Sequence, residues 1–327
     1  MTDVVDLLYA LNVDSPQSTA EIECALGART PSYEKLETLG DAIAGASITC
    51  YLYQGGEANV ANQLNNLRSN AHMLYYWSNS PWCKLALTTS ADTLEALTGA
   101  LYLSYGWETA HLFIGQTYGF VREEWNGMPL REPPIQTYLS KSDPQPSEDV
   151  QIVQPFVLTV PARTSASLDV SQLSTQSSQD MVRAAPEPVI AIPDASSRFD
   201  LASFLNTHGN QEVVQRALTY EMDTKRECAL GRSVYDMAIS IRSFEQTGQT
   251  PLEMENLRKT WKSAKYKRQM AEHWNVSQFI TMNKNNEHMG VRANKKQMML
   301  CMFSLFGAMT TVMDVPTVVK WIIDGMH

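Results

Sequence analysis

The sequence predicts an all-α protein with two helical domains joined by a proline-rich linker. Both ends of the chain contain long segments with apolar residues at helical spacing, and the sequence has no alternating runs or hairpin turns typical of a large sheet. Ten of the fifteen prolines lie between Pro129 and Pro193. Because 327 residues exceed what one compact core usually holds, we expect two domains. The predicted boundaries are residues 1–125 for the first domain, 126–195 for the linker and 196–327 for the second domain.

Two segments of the first domain predict buried helices. They are YEKLETLGDAIAGASITCYLY and ADTLEALTGALYLSYG, and each repeats leucine or isoleucine at spacings of three or four. The stripes are Leu36, Leu39 and Ile43 in the first segment, and Leu94, Leu97 and Leu101 in the second. Such stripes are typical of helices that pack against a core on one face.

The linker is predicted from its composition. Residues 126–195 are rich in Pro, Ser, Gln and Asp and lack an apolar stripe, so they bury too little surface to offset the entropy of ordering. The piece VQIVQPFVLTV, residues 150–160, is strand-like, and its central Pro155 restricts it to a sheet edge.

Two further helices are predicted in the second domain. NLRKTWKSAKYKRQMAEHW is read as one helix, and QMMLCMFSLFGAMTTVM as a buried one. The apolar run from Met298 to Met313 is shorter than the roughly 20 residues that span a bilayer, so we predict no membrane partner.

Charge and cysteine usage exclude several classes of protein. Residues 1–195 carry 9 basic and 22 acidic side chains, a net charge of −13, whereas residues 196–327 carry 17 basic and 13 acidic ones, a net charge of +4. This balance argues against indiscriminate nucleic-acid binding but leaves a local basic face. The first residues do not resemble a presequence, and the five cysteines lack metal-binding spacing. We expect an intracellular protein of the nucleus or cytoplasm that is not secreted.

Two acidic pairs in the first domain are candidates for chemistry. Glu37 and Asp41 are four residues apart and Asp92 and Glu95 are three apart, so each pair shares one helix face. Four convergent carboxylates would suit a hard divalent cation such as Mg²⁺. The alternative is that both pairs lie on solvated helix faces, since spacing alone does not show that the pairs meet.

The residues around these pairs resemble the ribonuclease III family. YEKLETLGDAI is similar to its signature helix, E-R-L-E-x-L-G-D-A, and differs from the Dicer-type version only at Lys35 over the stretch E-R-L-E-T-L-G-D. LNNLRSNAHML and ADTLEALTGALYLSYG follow in the family's order, and the resemblance covers about residues 20–120. It implies that four residues bind metal and catalyse hydrolysis of a phosphodiester bond: Glu37, Asp41, Asp92 and Glu95. It also implies that Glu34 is a supporting acidic residue and that the cofactor is Mg²⁺, for which Mn²⁺ can substitute.

Two further details of this match concern helix packing and the rate of the reaction. Gly40 and Gly99 are expected to let two helices approach closely, with no part in the chemistry. The Dicer type also has a lysine just before the second acidic motif, whereas Thr88–Ser90 stand there in this chain and Lys84 lies farther back. That departure puts the rate of the reaction in question, rather than metal binding.

The second domain resembles a degenerate copy of the first. Leu230-Gly231 align with Leu39-Gly40, and Gly307 aligns with Gly99. At the four metal positions this copy has residues that do not replace a carboxylate as Mg²⁺ ligands: Cys228, Arg232, Leu300 and Phe303. The alternative is an unrelated helical domain.

The resemblance implies a Dicer-like tandem core that acts on double-stranded RNA. Ribonuclease III domains work as two-fold dimers, so the two domains would form an intramolecular pseudo-dimer with a single active centre. A homodimer through the first domains remains an alternative. So does a non-catalytic RNA-binding or scaffold protein of an RNA-processing or ribosomal complex.

A basic run in the second domain is a candidate RNA contact. It places six positive charges within eleven residues of one predicted helix, either as a phosphate-binding ridge or as an ordinary solvated face: Arg258, Lys259, Lys262, Lys265, Lys267 and Arg268. No end-binding module is recognisable, so a separate RNA-binding protein would supply end recognition. The natural RNA, the product length and any role in RNA silencing are left open by the sequence.

Overall fold

The computed structural model describes residues 4–57, 59–121, 200–219, 224–246, 250–281 and 294–326. Within these ranges the chain forms only helices and turns, with one isolated bridge between Thr219 and Thr281, which confirms the all-α class. The predicted linker, residues 126–195, and its strand-like piece, residues 150–160, lie outside the described residues.

The first half of the chain supplies seven helices among the described residues. A 3₁₀ turn, Pro81–Leu85, lies between the fifth and the sixth of these helices. The helices are α1 (Val4–Ala10), α2 (Ala20–Leu26), α3 (Pro31–Gln54), α4 (Val60–Leu67), α5 (Asn70–Asn79), α6 (Ala91–Tyr105) and α7 (Trp107–Tyr118).

The second half supplies eight more in its described ranges. They are α8 (Leu201–His208), α9 (Glu212–Leu218), α10 (Lys225–Glu245), α11 (Pro251–Lys262), α12 (Ala264–His273), α13 (Val276–Phe279), α14 (Lys295–Val312) and α15 (Val315–Asp324). Among all the described helices, none is long and apolar enough to cross a membrane.

Three of the four predicted helices are confirmed, and the fourth is corrected. The two leucine stripes of the first half are buried in α3 and α6, and the apolar run of the second half forms the buried helix α14. The basic segment predicted as one helix is two, α11 and α12, because Ser263 interrupts it. The Ser263 side chain accepts a hydrogen bond from the backbone amide of Tyr266 and so caps a new helix.

Glycines set the closest helix contact in each half. A Cβ atom on Gly40 would overlap the carbonyl oxygen of Glu95, and one on Gly99 would overlap that of Leu36, so α3 and α6 cross in backbone contact. This confirms the packing role predicted for both glycines.

The second half contains the same contact between α10 and α14. A Cβ atom on Gly231 would overlap the carbonyl oxygen of Phe303, and one on Gly307 would overlap that of Glu227. In each half, the residue four positions before a glycine therefore lies against the glycine of the facing helix.

The described helices of both halves belong to one compact unit. The long helices α3 and α10 pack directly against each other across the two halves. Thr49 and Ser233, both buried, share a hydrogen bond of 2.8 Å at this contact. Arg226 of α10 donates to the carbonyl oxygen of Tyr53 at 2.7 Å, and its guanidinium lies 4.8 Å from the centre of the Tyr53 ring.

Candidate metal centre

Polar residues fix where α3 and α6 begin. The Thr30 side chain caps α3 by accepting from the amide of Tyr33, and the Ser90 side chain caps α6 by accepting from the amide of Thr93. The Tyr33 hydroxyl then donates to the Thr93 hydroxyl at 3.3 Å. The first turns of the two helices are therefore held together, with Asp92 in the first turn of α6 and Glu37 in the second turn of α3.

Three of the predicted carboxylates meet at the crossing of α3 and α6. Glu37, Asp92 and Glu95 each offer one oxygen atom, and these three atoms lie within 4.8 Å of one another. Glu37 and Asp92 are partly exposed, whereas Glu95 is buried. The glycine contact explains the convergence, because Gly40 abuts the backbone of Glu95. We refer to Glu37, Asp92 and Glu95 as the carboxylate cluster.

Glu95 is the most perturbed member of the cluster. Only 9% of this residue is exposed, and its pKa is raised to about 8 from an ordinary value of 4.5. Burial is the largest cause, the negative charges of Asp41, Glu37 and Asp92 add to it, and Arg68 opposes them. The protonated form is favoured because a buried charge is poorly solvated and faces like charges.

Arg29 partly neutralises the outer side of the cluster. Its guanidinium forms an ion pair with Asp92 and another with Glu37 at 3.2 Å. The pKa of Glu37 is nevertheless raised, mainly by burial and then by Asp92, while Arg29 acts in the opposite direction. Because 60% of the Arg29 side chain is exposed, these ion pairs are solvent-screened and weak.

The fourth predicted carboxylate, Asp41, lies beside the cluster and binds Arg68. The Arg68 guanidinium donates to the Asp41 carboxylate at 2.6 Å and packs over Gly45, where a Cβ atom would be 2.9 Å from its central carbon. Asp41 is the largest charged contributor to the raised pKa of Glu95, so it acts on the cluster from outside.

The cluster fits a divalent cation. Its donors are all carboxylate oxygens, which Mg²⁺ and Mn²⁺ accept. The cationic Arg29 already lies between Glu37 and Asp92, where it meets the demand for positive charge. A divalent ion would also offset the repulsion that raises the pKa of Glu95. Glu37, Asp92 and Glu95 are the residues that could hold it, with Asp41 as a neighbour.

Other residues named from the sequence lie outside the cluster. Glu34 is exposed in the first turn of α3, and Lys84 is exposed in the 3₁₀ turn. Where the Dicer type has a lysine, Thr88 instead accepts a hydrogen bond from the Thr93 hydroxyl through its backbone oxygen at 3.0 Å. This part of the chain therefore orients α6 and adds no positive charge.

The corresponding positions of the second half hold no carboxylate. Cys228 and Phe303 are buried, Leu300 is partly buried, and Arg232 is exposed with its guanidinium 5.6 Å from the centre of the Phe303 ring. Burial raises the pKa of the Cys228 thiol, which therefore stays protonated.

The six basic residues do not share one surface. Arg258 is buried and binds Glu255 at 3.1 Å, and Lys262 binds Asp236 at 3.3 Å. Lys267 is half-buried against the rings of Tyr235 and Phe303, and burial lowers its pKa. The remaining three are less enclosed: Lys259 and Lys265 are exposed, and Arg268 donates to the carbonyl oxygen of Ala264 in its own helix.

Sequence reasoning did not assign a role to Arg29 or Arg68. Arg68 lies in the segment that resembles the family's Leu-Arg motif, which was the available signal. Arg29 precedes α3 and carries no motif, and its partners are 8 and 63 residues away in the chain. The crossing of α3 and α6 brings Glu37 and Asp92 together beside Arg29.

No family model matches this chain. The chain is similar to the ribonuclease 3 of Zunongwangia profunda, with 31% identity over 97 residues. The match covers 25% of this chain and 40% of that protein, so the chain spans less than half the length of its relative. The similarity supports a relationship to the ribonuclease III family.

Proposed function

We propose that this protein is a metal-dependent endoribonuclease that hydrolyses double-stranded RNA at a single centre in its first half. The observation that carries the proposal is the convergence of Glu37, Asp92 and Glu95, whose ligand oxygens lie within 4.8 Å. The partial similarity to a ribonuclease 3 indicates the same class of substrate. Mg²⁺ is the proposed cofactor, and Mn²⁺ would substitute for it.

The residues of the centre have separate tasks in this proposal. Bound Mg²⁺ would supply charge stabilisation on the phosphate and activation of water. Glu95, fixed by burial against Gly40, and the outer carboxylates Glu37 and Asp92 would hold and orient the ion. Arg68 keeps Asp41 in place beside them. Arg29 would release Glu37 and Asp92 when a stronger cation arrives.

The second half is proposed to be a degenerate partner domain. Its helices α10 and α14 repeat the glycine contact of α3 and α6, yet the four corresponding positions lack carboxylates. Together with the packing of α3 on α10, this supports a Dicer-like tandem core in which one strand is cut per encounter. The exposed Lys259 and Lys265 are proposed contacts to the RNA backbone, which is recognised mainly by shape and phosphate position.

The test is cleavage of end-labelled double-stranded RNA with Mg²⁺, analysed in parallel on native and denaturing gels. We expect fragments on the denaturing gel alone, which indicates nicking of one strand. Glu95→Gln should lower the rate by roughly 10²–10³-fold, because it removes a charged ligand without changing shape. Glu23→Gln on the exposed face of α2 is the matched control and should cleave normally. Equal rates for wild type and Glu95→Gln would overturn the proposed centre.

A non-catalytic RNA-binding protein is the second candidate. It is favoured by Arg29, which already pairs with Glu37 and Asp92, and by Thr88–Ser90, which stand where the Dicer type has a lysine. Folded wild-type protein that shifts RNA without cutting it would establish this candidate. Duplex fragments on both gels, together with a dimeric mass in solution, would instead indicate a homodimer through the first halves.

A further inference from the structure

A second site is suggested by the cavity that lies between the two halves. The cavity has a volume of about 870 Å³ and is lined by α4 from the first half and by α9, α10 and α14 from the second. Its wall includes Cys228, Arg232 and Leu300, three of the four positions that correspond to metal carboxylates in the first half. The cavity therefore borders positions that correspond to the predicted metal carboxylates of the first half.

The charges that line the cavity are mainly positive. Arg68, Lys225 and Arg232 face it, and Asp236 is the acidic residue among its described lining. Asp236 already binds Lys262 at 3.3 Å, and Arg68 binds Asp41 at 2.6 Å. The carboxylate cluster and this cavity therefore have opposite charge preferences, although Arg68 belongs to the surroundings of both.

Arg232 is the residue best placed to bind an anion. It is exposed, and no carboxylate partner for it is found in the part of the chain that the structure describes. Its guanidinium lies 5.6 Å from the centre of the Phe303 ring and beside the protonated Cys228 thiol, and neither neighbour carries a negative charge. A guanidinium presents several N–H donors in a plane, which suits the oxygens of a phosphate.

We propose that this cavity binds a phosphate group through Arg232 and Lys225 without a metal ion. This inference rests on the proposed function, in which the phosphate belongs to the RNA strand that is not cut. In the first half, a metal ion held by carboxylates would contact the RNA phosphate. In the second half, the Arg232 guanidinium would contact the phosphate directly. The second half would then help to bind the RNA and to position it at the carboxylate cluster.

The test measures affinity for double-stranded RNA by fluorescence anisotropy in EDTA, where no divalent ion contributes. Arg232→Gln should weaken binding by about tenfold and reduce the slope of log K against log salt by about one, as expected for one lost phosphate contact. Arg232→Lys keeps the charge and should retain most of the affinity. Arg242→Gln is the matched control and should bind normally, because Arg242 is a partly exposed arginine of α10 that pairs with Glu245 and does not line the cavity.

A second arm separates the source of the phosphate. Thermal unfolding is followed with inorganic phosphate and with a nucleoside monophosphate, for wild type and Arg232→Gln. If RNA is bound and cleaved equally well by Arg232→Gln, the inference is wrong and the proposed function stands. If RNA is neither bound nor cleaved but phosphate stabilises wild type alone, the anion site stands and the proposed function is wrong. If neither RNA nor phosphate distinguishes the variant, the site is excluded.

Discussion

The two halves of this protein share a backbone arrangement and differ in the charges placed on it. In both, a long helix crosses a second helix through a pair of glycines, Gly40 with Gly99 and Gly231 with Gly307. In the first half the crossing brings three carboxylates together. In the second half the corresponding positions carry thiol, guanidinium and apolar groups.

A basic residue just before a serine is used in the same way in each half. Arg68 and Ser69 lie between α4 and α5, whereas Lys262 is the last residue of α11 and Ser263 alone lies between α11 and α12. Each cation binds an aspartate of the long helix, Arg68 to Asp41 and Lys262 to Asp236. The aspartates differ in position along their helices, so the ion pair is retained but displaced.

One residue of the second half has acquired a charge where the first half has none. Leu36 and Glu227 occupy equivalent places, since each abuts the second glycine of its crossing. Glu227 is almost fully buried, binds Arg216 and accepts from the Tyr53 hydroxyl of the other half at 3.4 Å. Close backbone contact therefore maintains the helix pair in both halves, while the side chains around it are available for either chemistry or association.

The largest expected effect tests whether the two crossings are equivalent. Gly40→Ala and Gly231→Ala should each lower the free energy of unfolding by about 3–4 kcal/mol, because the added methyl group overlaps a backbone carbonyl that cannot move aside. Urea denaturation measures both. Gly55→Ala is the control: it ends α3 with a φ of −70°, which alanine adopts easily, so stability should be unchanged or slightly higher. A large loss for only one of the two variants would show that the crossings are not equivalent.

The next effect concerns the carboxylate cluster, which has no counterpart in the second half. The pKa of Glu95 is about 8 when folded and ordinarily 4.5, so the folded state holds a proton that the unfolded state releases. Stability in the absence of metal should therefore fall as pH rises from about 4.5 to about 8, by up to about 4 kcal/mol relative to Glu95→Gln, because each unit of pKa difference is worth about 1.4 kcal/mol. Thermal or urea unfolding of the two proteins over this range measures the difference.

Mg²⁺ supplies the control for that pH dependence. At pH 8 the ion should stabilise wild type by about 1–3 kcal/mol at a concentration well above its Kd, because it binds only the folded cluster. Glu95→Gln should show a much smaller increase, and Glu23→Gln should behave as wild type. Parallel pH profiles for wild type and Glu95→Gln would contradict a strained cluster around Glu95.

Much of this arrangement could be predicted from the sequence, because local patterns determine it. The leucine stripes gave α3 and α6, and the residues around Gly40 and Gly99 indicated both the close contact and the acidic positions. The predicted set of Glu37, Asp41, Asp92 and Glu95 includes the three residues whose carboxylate oxygens converge, and metal binding by them stays a prediction.

The remainder depends on contacts distant in the chain or on a single capping residue. Arg29 meets Asp92 across 63 residues and Glu227 meets Tyr53 across 174, and neither pairing leaves a local pattern. The break between α11 and α12 was missed because the basic spacing continues through Ser263, whereas the Ser263 side chain prefers to cap a new helix. The roles of the six basic residues and of the linker stay predictions.

The smallest expected effect concerns the hydrogen bond between Tyr53 of the first half and Glu227, a charged residue that has no counterpart in the first half. Tyr53→Phe removes the hydroxyl that donates to buried Glu227, and should cost about 1 kcal/mol of unfolding free energy. Tyr9→Phe, on an exposed residue of α1, is the matched control and should be neutral. Combining Tyr53→Phe with Glu227→Gln in a double-mutant cycle isolates the pair, and a coupling energy of about 0.5–1 kcal/mol is expected because one hydrogen bond to a charged acceptor is lost. A coupling near zero would mean that α3 and α10 associate through apolar packing and the Thr49–Ser233 bond, and that the charge at Glu227 serves only its own half through Arg216.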